Sequence, residues 1–255
     1  MKNLIKLEIK KVYKPVLVTL IITTLLFLAA IMKIANNFSV QHSIEFWDEA
    51  IDYIAIVFPI LAVVPTCWVM YYERKNKFLL YTLPRVSKKN YIFSKWIVCV
   101  VSAFLIIFVP MFIGGLVSLT QLTDLVTEPA SYEIAFYQNF YMADILKDNT
   151  YLYVFAHCLW DGFLAMIVAS LGFVFSIYLD NIFVILTGPF IYVTLDNFIL
   201  AVLGFHKQRL AAAFYINSMT QTNTLNLLVG PTIAILFIIL LLAIFKLIKS
   251  KVYRI

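Results

Sequence analysis

The sequence predicts an all-α membrane protein, with six transmembrane helices preceded by an N-terminal interfacial amphipathic helix. Three observations predict it. Hydrophobic residues make up 63% of the 255-residue chain against 13% charged, where soluble domains carry about a quarter charged. The apolar residues gather into six continuous runs near the ~20 residues that cross a bilayer as a helix. Lysine and arginine gather at alternate ends of those runs. A soluble enzyme would lack the polar side chains to cover its surface, and disorder needs low hydrophobicity with high charge. The net charge of +6 is no mark of nucleic-acid binding, because the basic residues flank apolar runs.

The chain opens with residues 1–14, where Met1, Ile5, Ile9 and Val12 share one helical face and Lys6, Lys10 and Lys14 the opposite one. Glu8 intrudes on the apolar face. Such a helix lies in the headgroup plane with its lysines near anionic lipid, and Pro15 is expected to end it or kink it into the first span. The run that follows lacks a small-residue cleavage site, so no cleavable signal peptide is expected. The spans are Val16–Met32, Ala50–Tyr72, Trp96–Leu119, Leu152–Tyr178, Ile182–Leu203 and Asn226–Leu247. None shows the period-2 alternation of a membrane barrel. Pro59 and Pro65 are expected to interrupt the second span, Pro110 the third and Gly188-Pro189 the fifth. Cys67, Cys99 and Cys158 sit inside apolar runs and read as small core hydrophobes.

Orientation follows the basic residues. With both termini inside a plasma membrane, sixteen of the twenty fall on the cytoplasmic side, leaving Lys33, Lys147, Lys207 and Arg209 outside. The outer side is acidic, with Glu45, Asp48, Glu49 and Asp52 at the start of the second span. Asp124, Glu128, Glu133, Asp144 and Asp148 populate the long outer loop, residues 120–151. This is either a solvated loop face or a vestibule that attracts cationic material.

A search for catalytic chemistry finds no GxxxxGK[ST] phosphate loop, HExxH or GxSxG. His42, His157 and His206 are too scattered for a three-ligand metal site. The chain is not expected to be an enzyme by itself or to hold a cofactor. Ionisable residues within the spans are the candidate translocation site. His157 and Asp161 are four apart and share one face, with Asp161 near mid-depth; Asp196 lies in the outer half of the fifth span. Charge at such depth is costly and faces a bundle interior or water. It reads equally as a cavity or proton relay and as a packed polar contact between helices.

The connection at residues 73–91 surrounds the short apolar segment Phe78–Leu83 with Arg74, Lys75, Lys77, Arg85, Lys88 and Lys89. Glu73 at the end of the second span, the Leu79-Leu80-x-x-Leu83-Pro84 run, Ser87-Lys88 and Lys95 opening the third span follow one another in a pattern. That pattern resembles the permease subunits of type 2 ATP-binding-cassette exporters. The likeness extends to the N-terminal elbow helix, six spans and long outer loop. Asn76 or Lys77 stands where that family often has glycine.

The resemblance implies a bacterial six-span half-transporter. Its 73–91 connection, through Glu73, Phe78, Leu79, Leu80, Leu83, Pro84 and Lys88, would dock on a separate cytoplasmic subunit that holds ATP and Mg. It would pair with a second permease chain in the lipid. The Leu179-Asp180-Asn181 turn would be a second cytoplasmic contact, and residues 204–225 an outer gate segment. The cargo expected is hydrophobic or amphipathic, such as a peptide, toxin or drug. The alternative is a self-contained secondary transporter or channel using His157, Asp161 and Asp196.

Overall fold

The computed structural model describes residues 2–40, 42–78, 87–126, 140–217 and 224–252. Leu79, Leu80, Leu83 and Pro84 lie outside them, as do Glu128 and Glu133 of the outer loop and residues 218–223 of the gate segment. Among the described residues the regular structure is helical: α1 (Lys2–Asn37), α2 (Ser43–Val63), α3 (Cys67–Lys75), α4 (Lys88–Gln121), α5 (Ala143–Asp148), α6 (Thr150–Tyr178), α7 (Ile182–Val202), α8 (Leu210–Phe214) and α9 (Thr224–Val252). Six are long and apolar enough to cross a membrane: α1, α2 with α3, α4, α6, α7 and α9. The chain is an all-helical membrane protein.

The N-terminal segment is helical but does not stop at Pro15, which sits inside α1. A helix of 36 residues is about 54 Å long at ~1.5 Å per residue, against ~30 Å of hydrocarbon. The lysine-bearing first turns therefore extend beyond the span within the same continuous helix. Their inward face differs from the apolar stripe expected. Ile9 is 49% exposed, whereas Glu8 and Val12 are buried, with Val12 packed against Val69 and Val98. Glu8 points inward because a buried lysine of α4 awaits it there.

Of the prolines expected to interrupt spans, Pro65 ends a helix. Residues 64–66 form a turn between α2 and α3, and the Trp68 indole donates to the Pro65 carbonyl at 3.1 Å. Pro59, Pro110 and Pro189 lie within continuous helices. A proline costs one backbone hydrogen bond, which tight packing offsets at Pro59 and Pro110, buried in α2 and α4.

Helix α4 is the hub, packing on α6, α1 and α2, while α7 and α9 pack on the outside of α6. Trp47, Phe58, Ile107, Met111 and Leu164 fill the centre. Close approach there needs glycine: a Cβ on Gly115 would fall 2.4 Å from Val154. The three cysteines are buried and free, as their apolar surroundings predict. The bundle has a lysine-rich end, with the starts of α1 and α4 and the end of α3, and an acidic end, with the start of α2 and α8.

Candidate functional site

Two polar constructions stand out, one at each end. At the lysine-rich end four charges from three helices meet. Lys95 of α4, 5% exposed, places Nζ 2.5 Å from Glu8 Oε2 and 2.6 Å from Glu73 Oε2. Lys11 Nζ lies 2.8 Å from the other oxygen of each carboxylate. The Tyr91 hydroxyl donates to Glu73. Two carboxylates and two ammonium groups sum to zero charge, so the network can be buried without a net ion. It binds α1, the end of α3 and the start of α4 into one unit.

The neighbouring Arg74 reaches the other way. Its guanidinium donates to the Ile177 carbonyl at 2.6 Å, to the Leu179 carbonyl and to Asp180 Oδ1 at 2.8 Å. The short turn between α6 and α7 is thereby fastened to the end of α3. Phe78 is 41% exposed, with Lys11 Nζ 5.3 Å from its ring centroid. Lys11, Trp68, Val69, Tyr72, Glu73, Asn76 and Phe78 line a groove of about 380 Å³ at the base of the connection. Lys88 begins α4 and is exposed.

At the acidic end, His157 and Asp161 of α6 sit together as their spacing predicts, with Nε2 3.5 Å from Oδ2. Asp161 is fully buried and His157 is 5% exposed. The imidazole also approaches the Phe214 backbone, and neither carboxylate oxygen of Asp161 has a hydrogen-bond partner among the described residues. Trp47 and Tyr153 hold the imidazole edge-on, at centroid distances of 5.1 and 6.0 Å. Buried polar groups are nearly always hydrogen-bonded, so this pair is a departure that asks for a purpose.

Above it lies a cavity of about 100 Å³, lined by Asp48, Glu49, Asp52, His157, Tyr215 and Asn217 with apolar neighbours. Asn217 fixes one wall, its amide donating to Asp48 Oδ1 at 2.7 Å and to the Tyr153 hydroxyl at 2.8 Å. Its side-chain oxygen accepts from the Tyr141 backbone N–H. Burial, with the Asp52 charge added, pushes the Tyr215 hydroxyl above the usual phenol range, and Arg209 opposes this. Glu45 stands apart from the cavity. It accepts from the His42 backbone N–H at 2.7 Å and caps α2.

Asp196 belongs to neither construction. Its Oδ2 accepts from the Leu210 N–H at 2.9 Å, capping the first turn of α8, while neighbouring Asn197 receives Arg209. The three candidate residues of the spans thus divide into a buried pair and a helix cap. The sequence reading left Glu8, Lys11, Arg74, Tyr153 and Asn217 unassigned. Glu8 alone carried a local signal, as an acid on an apolar face. Compared with known protein families, with characterised proteins and with solved structures, the chain matches none.

Proposed function

We propose that the chain is the membrane permease subunit of an ATP-binding-cassette exporter. It would move a hydrophobic or amphipathic cargo outward with ATP hydrolysed by a separate cytoplasmic subunit. The observation that carries the reading is the four-charge network at the root of the 73–91 connection. A loop that transmits force needs a stiff root, and Glu73–Lys95–Glu8–Lys11 supplies one to α1 and α4. Arg74 supplies another to the turn between α6 and α7. Displacement of the connection by a docked subunit would therefore reach five of the six spans together: α1, the α2–α3 span, α4, α6 and α7. The protein would sit in the cell membrane with both termini cytoplasmic, the orientation that leaves sixteen of its twenty basic residues on the cytoplasmic side. Exposed apolar side chains on α7 and α9, among them Phe198, Val202 and Leu236, suit contact with lipid or a second permease chain.

A second reading is favoured by one observation. The buried His157–Asp161 pair beneath a polar cavity suits a carrier that moves protons or cations without ATP. Whether an adjacent gene encodes a soluble ATP-binding-cassette protein, and whether that protein co-purifies with the chain, separates the two. The permease reading expects a complex that survives purification and is lost in the double variant Leu80→Asp/Leu83→Asp. A complex unaffected by both substitutions removes the docking role of the connection. No complex, with transport by the chain alone that Asp161→Asn eliminates, establishes the carrier.

A further inference from the structure

Helices α4 and α9 both pack on α6, and between them lies a groove of about 800 Å³. That volume falls within the ~300–1,000 Å³ of sites that hold a ligand. One stripe of α6 floors the groove, with Phe163, Ile167, Ser170, Val174 and Ile177 recurring at helical spacing. Half-exposed Phe93 and Ile239 leave it open along the side of the bundle. Its polarity is one-sided. Lys89 and Asn90, both exposed, form a mouth at the lysine-rich end. Beyond them the lining is apolar apart from Ser170 and the Trp96 indole N–H, which satisfy each other. The indole donates to Ser170 Oγ at 3.0 Å, and that hydroxyl donates to the Met166 carbonyl at 2.8 Å. No acid lines the groove, and Lys89 forms no ion pair among the described residues.

We propose that this groove binds an anionic phospholipid of the leaflet at the lysine-rich end, with one acyl chain along the groove and the phosphate at Lys89 and Asn90. The length agrees. On α4 the lining runs from Asn90 to Val100, about 15 Å at ~1.5 Å per residue. That is half of the ~30 Å hydrocarbon core, the depth of one leaflet. The chemistry agrees as well. An acyl chain asks for no hydrogen bond, whereas an extended peptide would leave its backbone polar groups unpaired against this lining. At the mouth a phosphate meets an ammonium and an amide donor, and lysines at a membrane surface favour anionic headgroups. The Ser87 side chain makes no cap to α4, so that helix end adds its partial positive charge at the same place. Such a site does not depend on how transport is powered.

The test uses the purified full chain in dodecyl maltoside micelles, without any ATP-binding subunit. It is titrated with phosphatidylglycerol or phosphatidylcholine carrying bromine midway along one acyl chain. Bromine quenches indole fluorescence on contact, and the share of quenching that Trp96→Phe removes reports on the groove. That share is expected to saturate, with phosphatidylglycerol binding about fivefold tighter than phosphatidylcholine, as one lysine at a membrane surface confers. Lys89→Gln should remove the preference and Lys89→Arg should keep it. Lys14→Gln, at an exposed lysine of α1 at the same end, should leave it unchanged. Ile235→Phe/Ile239→Phe, which narrows the groove at two exposed positions, should weaken quenching by both lipids. Quenching of Trp96 that rises without saturation, or equally for both lipids, would mark ordinary solvating lipid and overturn the proposal. So would a preference that survives Lys89→Gln. An Ile239→Cys chain that cross-links to a second copy, while neither lipid quenches Trp96, would overturn it by making the groove an interface between chains.

Discussion

Replacing Lys95 by methionine removes one buried cation and almost no volume, and its consequence follows from the charge balance of the network. Lys95 Nζ touches Glu8 at 2.5 Å and Glu73 at 2.6 Å, with its side chain 4% exposed. Removing one partner of a buried pair typically costs ~3–5 kcal/mol, because the surviving charge is stranded. Here Lys11 still reaches both carboxylates, and Tyr91 still donates to Glu73, so about 3 kcal/mol is expected. Glu8→Gln alone leaves the network one positive charge in excess, at about 2 kcal/mol. In Glu8→Gln/Lys95→Met the remaining Glu73–Lys11 pair is neutral again, and the double variant should cost only about 2 kcal/mol. Two groups in one network therefore couple by about 3 kcal/mol, at the top of the usual range for contacting residues. Reversible denaturant titration of the four proteins in mixed micelles measures the cycle. A cost below about 1 kcal/mol for Lys95→Met, or additive losses in the double variant, would refute the argument that these charges form one neutral unit.

Three further outcomes follow from single contacts. Gly230→Ala should destabilise the acidic end by about 1–3 kcal/mol, because its Cβ would meet backbone atoms of Arg209 and Leu210 at 2.8 Å that cannot yield as a side chain can; thermal unfolding in detergent reads it. Asp196→Ala should cost about 1–2 kcal/mol through the lost cap of α8, whereas Asp196→Asn, which keeps an acceptor for Leu210, should cost less than half of that. Equal loss in both would mean that the charge, not the cap, is what matters. Single-cysteine variants at Lys88 and Glu133 should label from opposite sides of intact cells, position 133 from outside; reversed labelling would invert the topology.

The spans were legible because each is a run of local composition that reports on itself. His157 and Asp161 were legible for a similar reason, since four residues of helix bring them together whatever the rest of the chain does. What escaped was set by tertiary contact. Glu8 reads locally as a flaw in an amphipathic stripe, and its meaning depends on a lysine 87 residues away. Asn217 is an ordinary loop residue until the fold sets it between Asp48 and Tyr153. Asp196 reads as a charge in a membrane because its partner is a backbone N–H in a later turn. Of the two outcomes Pro15 allowed, an end or a kink, the end does not occur: α1 runs on through it, with its two halves each anchored, through Glu8 below and Phe27 and Ile31 above.

The central claim is that the 73–91 connection passes force from an ATP-binding subunit into the bundle. Arg74→Ala tests it most directly, because it cuts the link to Ile177, Leu179 and Asp180 while leaving the apolar docking segment intact. The measurement is ATP hydrolysis by the partner subunit in liposomes, with wild-type chain and with this variant. Wild type is expected to change the rate severalfold over the partner alone, and the variant to bind the partner equally well yet lose the change. A partner that neither binds nor responds to the wild-type chain, while the chain alone moves solute down or against an ion gradient, would contradict it.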